Sequence, residues 1–242
     1  MKPLTETNLH GNKPLLGIIG GMGTQATGCF YEKLHSMQKV TTEQEYLDVL
    51  LYSKPTIPDR TAYITGQSTE SPLEPLISVA KTLESAGATC IALPCVTSHY
   101  FYDDLSKAVK VPILHIPNET AAVAKKRGIK KVCVLATEGT IKGKVFHTAF
   151  EKQGIEVLLP SDEIRSELMT IIYDVKRGVE VFPEKLERIV EKTQNNGAEA
   201  VILGCTEFCV IAKESPNMIN TLEVLAKASI TQCRGRSPLR PV

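Results

Sequence analysis

Short apolar runs alternate with longer amphipathic stretches along most of the chain. The apolar runs predict β-strands at 15–21, 47–53, 89–93, 113–116, 131–137, 155–160 and 200–205. The stretches between them predict helices at 25–39, 72–86, 98–109, 118–127, 142–153, 162–176, 183–196 and 221–231. Strands that alternate with helices in this way are typical of an α/β fold with parallel sheets.

The two halves of the chain repeat the same order of motifs. Each half opens with a strand that runs into a Gly-containing turn, LGIIGGMGT in the first half and VCVLATEGT in the second. Each half also has a later strand that runs into a Cys-Thr motif, LPCVTSH and LGCTEF. We therefore predict two pseudo-symmetric, doubly wound α/β domains with the active site in the cleft between them. The predicted first domain is 1–117 plus 218–242, and the second is 118–217.

Composition and charge narrow the possible partners. The chain has 242 residues, of which 43% are hydrophobic, and its net charge is +1. Because the Lys and Arg residues are scattered, neither a nucleic acid nor an anionic membrane is a predicted partner. No apolar run reaches the roughly 18–20 residues that a membrane-spanning helix needs. The polar N-terminal stretch MKPLTETNLHGNKP lacks the apolar segment of a signal peptide and reads as a short disordered lead. The tail 233–242 is also predicted to be disordered.

The cysteines predict a reducing compartment. There are seven of them at irregular spacing, which does not fit a disulfide framework. Without a signal peptide, this favours a cytoplasmic protein whose thiols are mostly small core residues. No CxxC pair or histidine cluster is present, so no metal site is predicted. For Cys209, packing in the core and a disulfide with Cys205 are both open.

The Gly-rich turn GIIGGMGT at 17–24 resembles a dinucleotide-binding loop only in composition. Its spacing is not G-x-G-x-x-G, and no acidic residue clearly ends the next predicted strand. A turn that offers backbone N–H groups to a small anion at a helix N-terminus is the preferred interpretation. No cofactor is predicted.

Cys95 and Cys205 are the main candidates for chemistry. Each follows a predicted strand, and ligands of open α/β sheets bind at the carboxyl ends of strands. A thiol at the start of a helix meets the positive end of the helix dipole, which favours thiolate. Thr97 and Thr206 can donate to the same ligand or cap the helices. Two such thiols across a cleft can remove a proton from one face of a carbon and deliver one to the other. The alternative is two ordinary core thiols.

Charged residues and histidines are further candidates for the site, and each has a functional and a structural interpretation. Arg60, in the loop KPTIPDRTAY, can clamp a carboxylate or form a loop salt bridge. Lys176 can bind substrate, or it can interact with the partial negative charge at a helix C-terminus. Glu207 can influence protonation of Cys205 or act as a local cap. His99 and His115 can be general bases, or they can have core and capping roles.

Five motifs in order carry a family resemblance: LGIIGGMGTQAT, IPDRTAYI, LPCVTSHYFYDDL, VCVLATEGT and LGCTE. On these residues the chain resembles the aspartate/glutamate racemase family, which needs no pyridoxal phosphate, and most of all its aspartate racemase branch. The similarity runs from Leu16 to about Ala228. The resemblance implies two pseudo-symmetric α/β domains, an active site between them, an amino-acid substrate and a homodimer.

The resemblance also implies roles for individual residues. Cys95 and Cys205 match the two acid/base cysteines of the family. Val96 stands where the family has an Asn that helps to hold substrate, and Asn220 stands where an acidic residue is frequent, so substrate identity stays open. The predicted substrate-binding residues are Met22, Gly23, Arg60, Val96, Thr97, Ser98, Thr137, Lys176, Thr206 and Glu207.

The predicted function is a cofactor-independent racemase that interconverts L- and D-aspartate or glutamate by proton transfer between two cysteines. A related isomerase, such as a hydantoin racemase or a maleate cis–trans isomerase, is one alternative. A small-ligand binding homologue that has lost its activity is another.

Overall fold

The computed structural model describes residues 13–213 and 215–235. The predicted disordered lead, up to residue 12, and the part of the predicted tail from residue 236 lie outside the described residues. The prediction of disorder is wrong for residues 233 and 234, which form the end of a helix because the apolar face of that helix stays buried as far as Cys233. In the described part, no helix is both long and apolar enough to cross a membrane.

Two parallel sheets form the framework. The first has three strands in the order β2-β1-β3, namely β1 (Leu15–Gly20), β2 (Asp48–Ser53) and β3 (Cys90–Ala92). The second has the order β5-β4-β6-β7, namely β4 (Lys131–Leu135), β5 (Glu156–Leu158), β6 (Ala200–Leu203) and β7 (Met218–Asn220). All pairs of strands are parallel. The predicted α/β class with parallel sheets is confirmed.

At least one helix follows each strand along the chain. The helices are α1 (Thr24–Ser36), α2 (Arg60–Thr65), α3 (Leu73–Ser85), α4 (Tyr102–Ala108), α5 (Ile116–Lys126), α6 (Glu138–Lys142), α7 (His147–Glu151), α8 (Asp162–Lys176), α9 (Pro183–Asn195), α10 (Thr206–Ile211) and α11 (Thr221–Arg234). Two 3₁₀ helices, Glu43–Glu45 and Val96–Phe101, complete the set in the described residues.

The strand orders of the two sheets correspond. Strands β2, β1 and β3 match β5, β4 and β6 in position and direction. In the first sheet, a single parallel bridge joins Ile113 to Ile91 of β3. This position corresponds to that of β7, which adds a fourth strand beside β6 in the second sheet. The repeat of motifs along the chain therefore has a counterpart in the topology.

Three further local predictions were wrong, and two elements were not predicted. Residues 113–116 form only the Ile113 bridge, because the side chain of His115 accepts from the N–H of Asn118 and starts α5. The predicted helix 142–153 is two short helices, interrupted where Lys144 has φ 51°. The predicted loop 54–63 contains the start of α2, because Asp59 caps that helix. Strand β7 and helix α10 were not predicted.

The last helix joins the two halves. Helix α11 packs against α1 and β3 of the first half and against α5. The largest cluster of buried apolar side chains accordingly includes Leu16 and Phe30 together with Leu203 and Leu225. The preceding strand β7 pairs with β6, so residues 218–220 belong to the second sheet, whereas the predicted first domain includes them. The division into domains at 117 and 218 stays a prediction.

Candidate active site

The carboxyl ends of four strands meet at one small cavity between the sheets. The loop after β1 brings Met22, and the segment after β3 brings Cys95. From the second sheet, the chain after β4 brings Thr137 and the chain after β6 brings Cys205. Parallel strands put their carboxyl ends on the same edge of a sheet, so this meeting follows from the topology.

A tight turn places Met22 in the cavity wall. Gly21 has φ +95°, and a Cβ there would lie 2.6 Å from the backbone of Lys54, so only glycine fits. The hydroxyl of Thr27 accepts from the N–H of Gly21 at 2.9 Å and donates to the carbonyl of Gly23 at 2.8 Å. The N–H of Gly21 is thus used inside the loop, and anion binding by the other N–H groups of the turn stays a prediction.

His99 holds the backbone of Cys95 through hydrogen bonds between its ring and main-chain groups. Ring atom Nδ1 lies 3.1 Å from the carbonyl oxygen of Cys95, while the N–H of Ile116 donates to Nε2 at 3.2 Å. We therefore assign the ring proton to Nδ1, which donates to Cys95. Burial, together with the nearby His115, lowers the pKa of His99 to about 4. His99 is neutral and structural, and His115 caps α5.

Cys205 is a protonated thiol beside a buried carboxylate. Its Sγ–H donates to Oε2 of Glu207 at 2.8 Å, and the two residues are 4% and 3% exposed. Burial raises the pKa of Cys205 well above its ordinary value, and the negative charge of Glu207 raises it further. The prediction that a helix start makes this thiol a thiolate is wrong for Cys205, because burial and the carboxylate outweigh the dipole of the short helix α10.

One oxygen of Glu207 has no partner in the described structure. Its Oε1 is buried and makes no hydrogen bond. A Cβ at Gly23 would lie 3.0 Å from this oxygen and 3.7 Å from Cγ of Lys176. The bare backbone of Gly23 therefore leaves the space in which Glu207 and Lys176 approach the cavity.

Lys176 and Arg60 supply positive charge to the cavity wall. Burial alone would lower the pKa of Lys176, but Glu207, Cys205 and Asp59 together raise it above its ordinary value, so the ammonium stays charged. Its Nζ lies 3.7 Å from Oδ2 of Asp59. Arg60 donates from Nη1 to the carbonyls of Ile57 and Pro58, and its buried Nε has no partner.

Threonine hydroxyls link the two halves at the cavity. The Oγ1 of Thr97 lies 3.1 Å from that of Thr137 and 2.9 Å from that of Thr140. The N–H of Thr140 also donates to Thr137, which caps α6. A hydroxyl can rotate to exchange one hydrogen-bond partner for another, so these groups can donate to a ligand from either half.

The cavity brings together most of the predicted site residues. Gly23 and Ser98 are the exceptions: neither lines the cavity, but each contacts a residue that does. Ser98 donates to Sδ of Met22 at 3.6 Å. Thr61, from α2, lines the cavity and was not predicted. The lining residues are Met22, Arg60, Thr61, Cys95, Val96, Thr97, Thr137, Lys176, Cys205, Thr206 and Glu207.

The cavity is nearly closed. About 10 Å³ is open to the centre of a water molecule, which is room for about one water. Cys209 lies behind the site, where its thiol donates to the carbonyl of Leu203 at 3.8 Å, and it forms no disulfide with Cys205. The described residues contain no group of three or more side chains placed to hold a metal ion.

The fold and the site define an α/β protein with two thiols at the junction of two parallel sheets. The model of the Asp/Glu/hydantoin racemase family matches residues 19–229. The chain therefore belongs to the Asp/Glu/hydantoin racemase family and is by class an isomerase, a racemase.

Similar proteins of known structure cover almost the whole chain. Aspartate racemase of Picrophilus torridus is 31% identical with a TM-score of 0.80, over 91% of this chain and 94% of that one. An aspartate racemase homologue from Pyrococcus horikoshii OT3 is 31% identical with a TM-score of 0.74, over 90% and 98%. In sequence, the broad specificity amino-acid racemase RacX of Bacillus subtilis (strain 168) is 27% identical over 90% of this chain and 97% of its own.

Proposed function

We propose that the chain interconverts the L and D forms of aspartate or glutamate without a cofactor, by proton transfer at the α-carbon between Cys95 and Cys205. The observation that supports this most is the placement of both thiols in one cavity. Each comes from a different sheet, and each follows a strand of corresponding position.

The charges of the cavity wall favour an acidic amino acid. Arg60, Lys176 and Glu207 provide two cations and one carboxylate. A dicarboxylic amino acid carries the complementary set, namely two carboxylates and one ammonium. A guanidinium binds a carboxylate with paired hydrogen bonds, and the unpartnered Nε of Arg60 is a free donor for one.

We assign the α-ammonium group to the unpartnered Oε1 of Glu207. An ammonium at this position would offset the negative charge that raises the pKa of Cys205. Substrate binding would thus ease deprotonation of the thiol that has to act as a base. The hydroxyls of Thr97, Thr137 and Thr206 would donate to the α-carboxylate as negative charge develops on it.

The proton transfers balance within the pair. One cysteine, as thiolate, takes the α-proton and becomes a thiol, while the opposite thiol delivers its proton to the other face and becomes the thiolate. The roles exchange for the opposite enantiomer. Neither an oxidant nor a metal is required by this sequence of steps.

Substrate entry requires the cavity to open, since an amino acid is much larger than one water. The cover consists of α2, which carries Arg60 and Thr61, packed against α6 of the second half. We propose that these helices separate to admit substrate.

The test is incubation with L-aspartate in D₂O without added cofactor. We expect D-aspartate to form with deuterium at the α-carbon. Cys95→Ser and Cys205→Ser should abolish racemisation, and each should retain α-exchange with one enantiomer only. Cys133→Ser, a buried cysteine outside the cavity, is the control and should stay active. Full racemisation by both active-site variants would contradict the two-base mechanism.

A broad-specificity amino-acid racemase is the second candidate. Val96, an apolar residue, lines the cavity where the resembled family has Asn, and RacX is named for broad specificity. A chiral screen of acidic and neutral amino acids separates the two. Maleate and a hydantoin test the related isomerases, and a ligand-induced thermal shift without exchange would indicate a binding protein.

We also propose that the enzyme works as a homodimer in the cytoplasm. β2 is at the edge of its sheet among the described strands, and it exposes Leu51 and Tyr52, each 39% accessible. The seven cysteines are all free, which fits a reducing compartment.

A further inference from the structure

Two cysteines that do not line the active-site cavity face each other where β3, the end of α11 and the segment before β2 meet. The Sγ atoms of Cys90 and Cys233 are 3.2 Å apart, although 143 positions separate them in sequence. Cys90 lies on β3, and Cys233 lies in the last turn of α11. The racemase mechanism uses neither thiol.

Cys233 is the member of the pair that solvent can approach. It lines a surface cavity of about 660 Å³ together with Tyr46 and Arg234, and its residue is 6% exposed. Cys90 is 1% exposed and lies behind it. A small oxidant can therefore reach the thiol of Cys233 from this surface cavity, while the thiol of Cys90 contacts Cys233 from the buried side.

The two thiols of the pair also differ in pKa. A hydrogen bond from the Cys90 thiol lowers the pKa of Cys233 and raises that of Cys90. The thiolate is the reactive form of cysteine, so the accessible member is the one prepared to react.

We propose that Cys90 and Cys233 form a thiol–disulfide modification site that responds to peroxide. Hydrogen peroxide oxidises the sulfur of Cys233 to a sulfenic acid and releases one water. The sulfur of Cys90 then attacks the sulfur of Cys233, the S–S bond forms, and the hydroxyl leaves with the Cys90 proton as a second water. The two cysteines lose two electrons in total, and one peroxide gains them.

The disulfide would fasten the strand that leads to the active site. Two residues after β3 ends at Ala92, the chain reaches Pro94 and then Cys95. At the other side, Arg234 donates to Oε1 of Gln38 and to the carbonyl of Glu45, each at 3.0 Å. The bond would therefore tie β3, the end of α11 and the segment before β2 into one unit.

Peptide mapping of the whole protein is the primary test. After treatment with hydrogen peroxide we expect a linked peptide that contains Cys90 and Cys233, with the mass of two hydrogens lost and restored by dithiothreitol. The oxidised protein should melt roughly 5–10 °C higher than the reduced protein, because a long loop is closed. Absence of the linked peptide after prolonged oxidation, or linkage of Cys233 to another cysteine, would overturn the proposal.

Two variants test the order of events. Cys90→Ala removes the second thiol, so Cys233 should accumulate as a sulfenic acid that dimedone labels, whereas wild type should show little label there. Cys29→Ser is the matched control, a half-buried cysteine that should leave the Cys90–Cys233 linkage intact. Equal dimedone labelling of Cys233 in wild type and Cys90→Ala would refute the role of Cys90.

Discussion

At the scale of single residues, the chemistry of Cys205 depends on Glu207. The carboxylate accepts a hydrogen bond from the thiol with one oxygen, at a sulfur–oxygen distance of 2.8 Å, and its other oxygen is buried without a partner. A buried oxygen without a hydrogen bond costs free energy, and such a cost is maintained where a ligand uses the group. The same residue therefore holds the thiol protonated and, in the proposed mechanism, binds the substrate ammonium.

Glu207→Gln separates these two roles. Removing the negative charge takes away one of the two main causes of the raised pKa, so the thiol of Cys205 should titrate at lower pH than in wild type. The KM for aspartate should rise about 10-fold or more, because a charged hydrogen bond is lost. Racemisation rates at varied aspartate concentration measure KM. The pH dependence of kcat and the ultraviolet absorbance of thiolate in a Cys95→Ser background measure the titration.

The control for this variant is Glu223→Gln. Glu223 is a partly buried carboxylate that pairs with Lys33 on α1, away from the cavity. It should leave KM and the thiol titration unchanged. If Glu207→Gln behaves like Glu223→Gln in both measurements, neither proposed role of Glu207 is correct.

At the scale of elements, α2 and α6 pack against each other and form the cover that we propose for the cavity. A Cβ at Gly139 would lie 2.8 Å from Cα of Thr61, so the helices touch through backbone. The ammonium of Lys142 donates to the carbonyl of Thr65 at 3.1 Å and adds a polar contact. Because Arg60 and Thr61 are in α2, this packing sets where those side chains enter the cavity.

Gly139→Ala should push α2 away from α6. We expect a loss of about 1–3 kcal/mol of unfolding free energy from overpacking. We also expect a fall in kcat/KM, since the wall that carries Arg60 is displaced. Urea denaturation and aspartate racemisation measure the two effects.

Gly28→Ala is the matched glycine control. Gly28 is exposed within α1, and a Cβ there meets no atom within 4 Å. It should gain about 0.5–1 kcal/mol from helix propensity and keep its activity. Full activity and stability of Gly139→Ala would mean that the contact is adaptable and does not define the site.

At the scale of the whole molecule, the first sheet has an exposed edge among the described residues. The second half of β2 carries Leu51 and Tyr52, which are each 39% exposed. Exposed apolar edge strands are sites where a second chain adds to a sheet. This is the surface on which we base the proposed dimer.

Light scattering of the purified protein tests the dimer. We expect a mass of twice 26.5 kDa for wild type. Tyr52→Lys should lower the mass toward that of one chain, because a charge on the edge opposes pairing. Phe182→Lys replaces a residue that is 61% exposed elsewhere and should not change the mass. A monomeric wild type would refute the dimer.

Most of the framework could be predicted because its signals are local. Each central strand is a short apolar run, and helix 162–176 was predicted with the bounds that the structure has. The predictions failed where contacts with a neighbouring group determine the backbone conformation. Strand β7 forms because Ile219 pairs with Ile202 on β6. Helix α2 begins after Asp59, which caps it, whereas the prolines before it predict a loop.

The sequence by itself determined that two Cys-Thr motifs end two strands of a duplicated α/β pattern, because periodicity and motif order are properties of the chain alone. Only the tertiary structure decided the state of the thiols and the partners around them. The protonation of Cys205, the neutral ring of His99 and the approach of Cys90 to Cys233 depend on burial and on residues distant in sequence. Free energies of this kind arise when the chain is packed, since desolvation and Coulomb interactions act between atoms in space.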